Sequence, residues 1–284
     1  MLFYGILLIA LIGLVVIFLM MNRVYKTQPR PHKEDPSSLG IAFESISIPT
    51  ANQKNLYGWW IPNPTGTKKP VIVLVHGWTR NVQRMLPYVK MLHHDFDLLA
   101  FDSRSHGSSD VDTYSSMPRF AEDILSTVKY IDANYPGRQI GVLGLSMGGA
   151  ASIYAASKQP QIRAVVTVGA FAHPTDVMRL EFKKRHIPYF PLVWLLFEYM
   201  QFIMKDRFDD IAPENNIARS AANFLIIHGT EDLTAPVEQA QRLFAASQKE
   251  KAKLLLLDEM GHSNCHEYPG IENKIREHFQ KNLE

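Results

Sequence analysis

The sequence predicts an α/β fold with a mostly parallel sheet of about eight strands, flanked by helices. Two observations support this. First, six short apolar runs are typical of strands buried on both faces of a parallel sheet. They lie at residues 71–75, 97–101, 139–145, 164–168, 224–228 and 253–258. Second, helix-like stretches alternate with them, which is the pattern of a doubly wound sheet. They lie at residues 82–94, 118–134, 147–158 and 237–247, with a last one at 271–283.

Two further segments complete the predicted architecture. "IAFESISI" at residues 41–48 alternates in polarity, and "NLYGWWI" at residues 55–61 follows a polar turn, so we expect an antiparallel first pair of strands. More than fifty residues separate the apolar runs at 164–168 and 224–228, and they include the apolar, helix-like "FPLVWLLFEYMQFIMK". We expect a helical cap at about residues 172–215. Its apolar helix is either a buried core helix or a lid over an apolar substrate cleft.

Composition limits the class of protein. The chain has 284 residues, of which 46% are hydrophobic and 20% charged, which suits one large globular domain with an appendage. The formal net charge of +2 gives no indication of a nucleic-acid partner. A single cysteine, Cys265, rules out a disulfide within the chain. Nothing in the composition indicates the oligomeric state.

The N-terminus predicts a membrane anchor at residues 1–22. Residues 2–21 carry no charge, and as a helix they would span about 30 Å, enough to cross a bilayer core. A cleaved signal peptide is disfavoured, because no basic residue precedes the run and no small-x-small site follows it. Basic residues from Arg23 to Lys33 come after it, so the positive-inside rule predicts a single-pass membrane protein whose catalytic domain is cytoplasmic. The segment at residues 23–40, rich in proline and charge, is expected to be a linker without structure.

A serine between glycines marks the candidate nucleophile. Gly144-Leu145-Ser146-Met147-Gly148 fits the G-x-S-x-G pattern of a nucleophile elbow, a sharp turn from a strand into a helix. The flanking sequence agrees, because an apolar run precedes the serine and a small-residue, alanine-rich stretch follows it. Glycine is needed two positions to either side, since side chains there would collide across the turn.

A serine nucleophile requires a base and a group that orients the base. Such groups are expected at the carboxyl ends of later strands. "FLIIHGTEDLTAP" places Asp232 after one strand, and "KLLLLDEMGHSN" places His262 after the next, in the order Ser, Asp, His. Alternatives for the acid are Glu231 and Asp176. His266 follows His262 by four residues, so a metal site of His262, Cys265 and His266 is a further alternative, although no other ligand spacing supports it. The mechanism needs no cofactor and no metal.

Two backbone amides are the candidate donors for an oxyanion hole. Met147 follows the nucleophile at the start of a helix, and Trp78 lies in "HGWTRN" after the central strand. We expect His76 in this loop to be a structural histidine that bonds the backbone. The segment "FDSRSHGSSD", which contains Asp102, Arg104 and His106, is expected to lock a loop rather than to react.

The chain resembles the α/β-hydrolase superfamily over nearly all of residues 41–279. Four landmarks match in order: "HGW", "DSRSHGSS", "GLSMGG", and "HGTED" with "GHS". The set is most similar to the monoglyceride-lipase and serine-aminopeptidase-like branch and to membrane-anchored members. Ser105 stands where glycine is usual. The resemblance implies that residues 41–284 form the hydrolase domain, with Ser146, Asp232 and His262 as triad and the Trp78 and Met147 amides as oxyanion hole.

The preferred functional hypothesis is therefore a serine hydrolase that cleaves carboxylic esters with an acyl or other apolar group. Trp194 and Phe197 in the predicted cap helix are candidate pocket residues. A second hypothesis is an aminopeptidase-like enzyme, which would need an acidic cap residue to hold the substrate amine. The available residues are Glu181, Glu198, Asp206, Asp209 and Asp210. A third hypothesis is a binding protein without catalysis, which the complete triad argues against.

The anchor can be tested by fractionation. We expect the full-length protein to stay with membranes after a carbonate wash, because a helix of about 20 apolar residues inserts stably. A chain that begins near Ile41 should be soluble and active, because the linker supplies no strand and no catalytic group. Recovery of full-length protein in the soluble fraction, or of a chain trimmed near Met21, would contradict the anchor.

Overall fold

The computed structural model describes residues 29–283, together with Tyr4, Gly5, Ile12, Gly13, Val15 and Leu19. Most of the predicted anchor and the first part of the predicted linker lie outside the described residues. No helix formed by the described residues is long and apolar enough to cross a membrane. The anchor therefore stays a prediction.

A single eight-stranded sheet organises the described part of the chain, in the strand order β1-β2-β4-β3-β5-β6-β7-β8. β1 pairs with β2 and β2 with β4 in antiparallel fashion, and the other neighbours are parallel, which confirms the predicted sheet. The strands are β1 (Glu44–Thr50), β2 (Lys54–Ile61), β3 (Val71–Val75), β4 (Asp97–Phe101), β5 (Ile140–Leu145), β6 (Ile162–Val168), β7 (Asn223–Gly229) and β8 (Ala252–Leu257).

Helices cover both faces of this sheet. From residue 29 onward they are α1 (Leu86–Leu92), α2 (Met117–Asn134), α3 (Met147–Lys158), α4 (Pro174–Lys184), α5 (Trp194–Met204), α6 (Phe208–Ile211), α7 (Pro213–Asn216), α8 (Glu238–Ala246) and α9 (Ile271–Leu283). The expected helix at residues 82–94 is instead a 3-10 turn, Val82–Met85, followed by α1. Pro87 accounts for the break, because proline is favoured in the first turn of an α-helix and disfavoured inside one.

The central strands β3 and β5 are apolar throughout because the sheet is buried on both sides there. In β3, Val71, Val73 and Val75 join the hydrophobic cluster on one face, whereas Ile72 and Leu74 join the cluster on the other. Alternate side chains of a strand point to opposite faces, so a strand with both faces covered is apolar at successive positions.

The segment between β6 and β7 holds the helices α4 to α7, preceded at α5 by a π-helical turn, Tyr189–Val193. The buried side chains of this turn and α5 form one stripe, Val193, Phe197, Met200 and Met204. Their spacing of three to four residues is that of one face of a helix. α5 therefore buries one face, and Phe202 on the opposite side is 77% exposed. We call residues 172–215 the cap, which as a domain boundary remains our proposal.

Residues 30–40, expected to be part of an unstructured linker, are folded against the domain. They contain a short 3-10 helix, Pro36–Leu39, whose first turn is capped by the Asp35 carboxylate accepting from the Ser37 amide at 2.9 Å. Pro36 is buried, and Gly40 ends the turn with a positive φ of 70°. The proline and charge that suggested a linker thus supply a helix start and a cap. We call residues 30–40 the N-terminal strap.

Gly141 in β5 allows α9 to pack closely on the sheet. A Cβ atom at this position would lie 2.8 Å from the Phe279 ring and 2.9 Å from Ile72 Cδ1. We expect Gly141→Val to lower the free energy of unfolding by about 1–3 kcal/mol through overpacking. Urea unfolding followed by circular dichroism should show a lower midpoint with an unchanged slope.

Phe279→Leu provides the control for this prediction. It should destabilise the protein alone but recover part of the loss caused by Gly141→Val, because the smaller side chain makes room. Strictly additive losses in the double variant would show that the helix contact does not explain the glycine.

Candidate active site

Ser146 lies at the turn between β5 and α3, where its backbone has φ 52° and ψ −115°. A positive φ in a residue other than glycine is strained and persists only where the surroundings enforce it. Here the enforcing contacts are close. A Cβ atom on Gly148 would lie 2.5 Å from the His76 carbonyl oxygen, and one on Gly144 would collide with the backbone of Gly148. The predicted need for both glycines is therefore met by the geometry of the turn.

The structure brings the three predicted triad residues together. His262 Nδ1 lies 2.6 Å from Asp232 Oδ2, and His262 Nε2 lies 3.0 Å from Ser146 Oγ. A carboxylate can only accept, so the imidazole proton is on Nδ1 and Nε2 is free to accept from the serine hydroxyl. The three groups form a hydrogen-bonded chain that can move a proton from Ser146 to His262.

Asp232 is buried and held in place by several donors. Its Oδ1 accepts from the Thr234 and Ala235 amides, both at 2.9 Å. Burial alone would raise the pKa of the Asp232 carboxyl. Hydrogen bonds from His228, His262 and the Ala235 amide outweigh burial and hold that pKa below its usual value. The carboxylate is therefore charged, as a group that orients an imidazole must be.

The alternative acids are placed differently. The Glu231 side chain is exposed, and Asp176 forms an ion pair with Arg242 and accepts from Gln239 at 3.3 Å. Neither of them has a hydrogen bond or ion pair to His262 among the described residues. Of the three acids that the sequence offered, only Asp232 is therefore in position to orient this imidazole.

Two residues at this site were missed from the sequence. His228 at the end of β7 is buried, donates from Nε2 to the Ala235 carbonyl at 2.6 Å and lies 3.3 Å from Asp232 Oδ2. Gly169, after β6, has φ 65°, and a Cβ atom there would lie 3.2 Å from His262 Nδ1. The sequence offered only weak signals for these two residues. His228 lies four residues before Asp232, and Gly169 directly follows an apolar strand.

The loop at residues 76–82, which we call the β3 loop, comes close to Ser146. A Cβ atom on Gly77 would lie 3.3 Å from the Leu145 carbonyl oxygen and 3.4 Å from Ser146 Cβ. Within the described residues, the amides of Trp78 and Met147 donate to no protein acceptor. Both amides are thus free to bind an oxygen atom next to Ser146, and Met147 adds the positive end of helix α3.

A second loop, residues 102–112, is hydrogen-bonded to the β3 loop through two neutral histidines. One of them, His76, belongs to the β3 loop, and the other, His106, belongs to the second loop. His76 donates from Nδ1 to the Gly77 carbonyl at 2.7 Å and accepts at Nε2 from the Ser103 amide at 3.0 Å. His106 accepts at Nε2 from the Thr79 amide at 3.2 Å. Burial lowers the pKa of both imidazoles, that of His106 to about 3, so they remain neutral. The expected structural role of His76 fits this arrangement.

The alternative metal site finds no support in the geometry. His262 uses both ring nitrogens on Asp232 and Ser146, and the Cys265 thiol contacts the Gly261 carbonyl at 3.4 Å. Burial raises the pKa of this thiol to about 11, which disfavours the thiolate that a metal would bind. From residue 29 to 283, no group of three or more His, Cys, Asp or Glu side chains could hold a metal ion.

The two tentative pocket residues occupy different environments in the cap. Phe197 is buried against other cap aromatics, with ring centroids 5.5 Å from Phe208 and 6.2 Å from Tyr189. Trp194 is 40% exposed and lies 5.9 Å from the Phe190 ring. Phe197 therefore contributes to the packing inside the cap, and Trp194 to its outer surface. Their role in substrate binding stays a prediction.

Comparison with known proteins shows the family to which the chain belongs. The sequence model of the family described as "Serine aminopeptidase, S33" matches residues 66–211, about half of the chain, from before β3 to the cap. The chain belongs to this family. The S33 match includes Ser146 and the β3 loop, whereas Asp232 and His262 lie beyond it.

Curated relatives of this S33 member are distant. It is 24% identical over 225 residues to the uncharacterized protein YfhR of Salmonella typhimurium, covering 76% of this chain and 73% of that protein. It is 37% identical to human monoglyceride lipase over 101 residues, which cover 34% of this chain and 33% of the lipase.

Solved structures share the fold. The Pyrococcus furiosus esterase Pf2001 has a TM-score of 0.73 at 21% identity, covering 90% of this chain and 99% of the esterase. A puromycin-hydrolyzing peptidase of Mycobacterium tuberculosis has a TM-score of 0.66 at 14% identity, covering 86% of this chain and 39% of the peptidase. The α/β-hydrolase fold expected from the resemblance is thereby confirmed.

The choice of acid can be tested with a matched pair of variants. We expect Asp232→Asn to lower kcat by about 10⁴, because an amide in place of the carboxylate favours the wrong imidazole tautomer. Glu231→Gln, the same change at the neighbouring exposed position, should leave kcat within about twofold. Steady-state kinetics on a p-nitrophenyl ester measures both. Equal losses in the two variants would contradict the assignment of Asp232.

Proposed function

We propose that this protein is a serine hydrolase that cleaves carboxylic esters through an acyl-enzyme. The observation that carries the proposal is the hydrogen-bonded chain from Ser146 through His262 to Asp232. Its polarity, with the donor hydroxyl at one end and a charged carboxylate at the other, suits the activation of a serine hydroxyl.

The reaction follows from these contacts. Ser146 Oγ attacks the ester carbonyl while its proton passes to His262 Nε2, and Asp232 stabilises the resulting imidazolium. The amides of Trp78 and Met147 bind the negatively charged carbonyl oxygen. The imidazolium returns its proton to the departing alcohol, which leaves the acyl group on Ser146. Water then attacks the acyl-enzyme with His262 again as base, releasing the acid and restoring the hydroxyl.

The substrate is proposed to carry an acyl or other apolar group. Half-buried apolar side chains from the β3 loop, α3 and the cap pack against one hydrophobic cluster: Trp78, Met147, Met178, Leu196 and Tyr199. Their partial exposure leaves apolar surface available to a ligand, and each methylene buried there would contribute about 0.8 kcal/mol. A pocket role for Trp194 and Phe197 remains part of this proposal. Monoglyceride lipase and an esterase among the similar proteins also support ester hydrolysis.

We also propose that the enzyme works at a membrane. The uncharged segment at residues 2–21 supports an anchor. The exposed side of the cap adds an aromatic surface, on which Phe190 is 72% and Phe202 77% exposed. Lys183, Lys184 and Lys205 lie exposed in the same segment. Aromatic and basic side chains together are the combination found where proteins meet a lipid surface.

A second candidate activity is the release of N-terminal residues from peptides. The family description and the puromycin-hydrolyzing peptidase favour it. It requires a free acidic group in the cap to hold the substrate amine. Three of the five acids considered from the sequence already pair with a basic side chain: Glu181 with Lys184, Glu198 with Arg207 and Asp209 with His173. Asp206 and Asp210 have no ion pair among the described residues and stay available for this role, so the preference for ester hydrolysis rests on the lipase and esterase relatives.

The nucleophile is tested by Ser146→Ala. We expect kcat for a p-nitrophenyl ester to fall by on the order of 10⁴–10⁶, because no other group replaces the attacking oxygen. A fluorophosphonate probe should label the unchanged protein at Ser146, as read by peptide mass spectrometry, and should not label the variant. The melting temperature should change little, since only a hydroxyl is lost.

Two outcomes would contradict the proposal. Retention of more than a few per cent of the activity in Ser146→Ala would show that another residue is the nucleophile. An unlabelled, inactive wild-type protein would favour a binding function. A panel of p-nitrophenyl esters and aminoacyl-anilides then separates the two enzymatic candidates, and faster anilide turnover would favour the peptidase.

A further inference from the structure

The N-terminal strap is bonded directly to the end of the β3 loop. The Asn81 side-chain amide donates to the Arg30 and Pro31 carbonyl oxygens, at 3.1 and 3.3 Å. The Lys33 amide donates to Gln83 Oε1 at 2.8 Å. These bonds connect residues that are about fifty positions apart in the sequence. The strap therefore contacts both neighbours of Val82, the last residue of the loop.

His32 is the side chain that fixes the strap to the domain. Its Nε2 lies 2.7 Å from Asp102 Oδ2, and its ring stacks on Tyr57 at a centroid distance of 5.3 Å. The His32 and Trp59 rings make a T-shaped contact with their centroids 5.9 Å apart. Only 15% of the His32 side chain is exposed. Since a carboxylate accepts, Nε2 carries a proton and donates to Asp102.

Asp102 connects His32 to the β3 loop, because its carboxylate accepts hydrogen bonds from both. The carboxylate is fully buried, and its Oδ1 accepts from the Val82 amide at 2.7 Å. Its Oδ2 accepts from the Ser108 amide at 2.9 Å as well as from His32. Within the described residues, His32 is the only side chain that donates to this carboxylate. A buried carboxylate that loses a donor becomes more costly to keep in place.

Three consecutive residues, Asn81, Val82 and Gln83, are thus held by the strap, directly or through Asp102. The other end of the same loop, at Gly77, lies against Ser146. Between the two ends is Thr79 with a φ of 55°, a strained conformation for a residue other than glycine. Such a conformation persists only where the surroundings enforce it. The Trp78 amide is therefore positioned by a loop that is fixed at both ends.

We propose that the N-terminal strap positions the oxyanion hole, with His32 as its positioning residue. This inference rests on the proposed function, because it assigns the Trp78 amide the role of binding the oxyanion. The strap begins soon after the predicted anchor, so docking of the strap links attachment of the chain to the geometry of the active site. A chain that begins near Ile41 loses every strap contact, so we expect it to be less active than the full-length protein, contrary to the expectation from the sequence alone.

The test uses full-length His32→Ala, measured per active site. Fluorophosphonate labelling to completion counts the active sites, and kcat is divided by that number. We expect kcat for a p-nitrophenyl ester to fall about tenfold or more with KM changed less than twofold. That loss is a fraction of the 10²–10³ that removal of one oxyanion donor costs. The rate of labelling should fall in parallel, because the phosphonyl oxygen occupies the same position, while the final labelled fraction stays unchanged.

Two variants control for a purely structural effect. His32→Gln keeps an N–H donor that can reach Asp102 and should recover part of kcat. His94→Ala removes an exposed histidine outside the strap and the β3 loop and should behave as wild type. The proposal is overturned if His32→Ala keeps wild-type kcat per labelled site. It is also overturned if the whole loss of activity comes from a smaller labelled fraction.

Hydrogen–deuterium exchange separates this proposal from the proposed function. In His32→Ala, peptides that cover residues 76–83 should exchange at least several times faster, while peptides from β7 should be unchanged. Faster exchange in a protein that has no hydrolase activity would support the strap and contradict the hydrolase. Unchanged exchange and unchanged kcat in an active enzyme would contradict the strap alone.

Discussion

The close contact between the β3 loop and the turn at Ser146 is the constraint on which the rest of the site depends. Two backbone segments meet there with no space for side chains, which is why Gly77 and Gly148 lie where they do. Gly77 lies against Leu145 and Ser146 in this contact, and Trp78 is the next residue of the loop. Each segment is held in a conformation that it would not adopt alone, so the surrounding loops must supply the stabilisation.

The topology of the sheet explains how distant parts of the chain supply this stabilisation. The parallel strands β3 to β8 end at one edge, and the loops after β3, β5, β7 and β8 meet there. The acid and the base come from the last two loops, and Gly169 after β6 leaves room for their hydrogen bond. Site residues spread over 116 positions of sequence, from Ser146 to His262, thus lie within hydrogen-bonding distance. The shared sheet edge fixes the spacing of these residues.

The local pattern of the sequence predicted most of the sheet and of the candidate site. It failed where a contact joins residues that are far apart in the sequence. Ser146, Asp232 and His262 each follow an apolar strand, so the strand pattern and the edge rule were sufficient to group them. The role of His32 depends on a bond to Asp102, 70 positions away, which no local pattern contains. The same limit applies to α5. Its composition is apolar all round, and only tertiary packing decides that one stripe is buried and the other side exposed.

Two buried carboxylates, Asp123 and Asp232, show how hydrogen-bond donors change the effect of burial on a pKa. Burial raises the pKa of Asp123 to about 6, although Arg104 donates to it at 2.6 and 2.8 Å. Burial acts in the same direction on Asp232, yet its hydrogen bonds prevail and its pKa falls. The difference follows from position. Asp123 lies inside the packing of α2, whereas Asp232 faces an imidazole that is partly exposed, as substrate access requires. For these two carboxylates, the hydrogen bonds from neighbouring donors decide the direction of the pKa shift, because burial alone raises both pKa values.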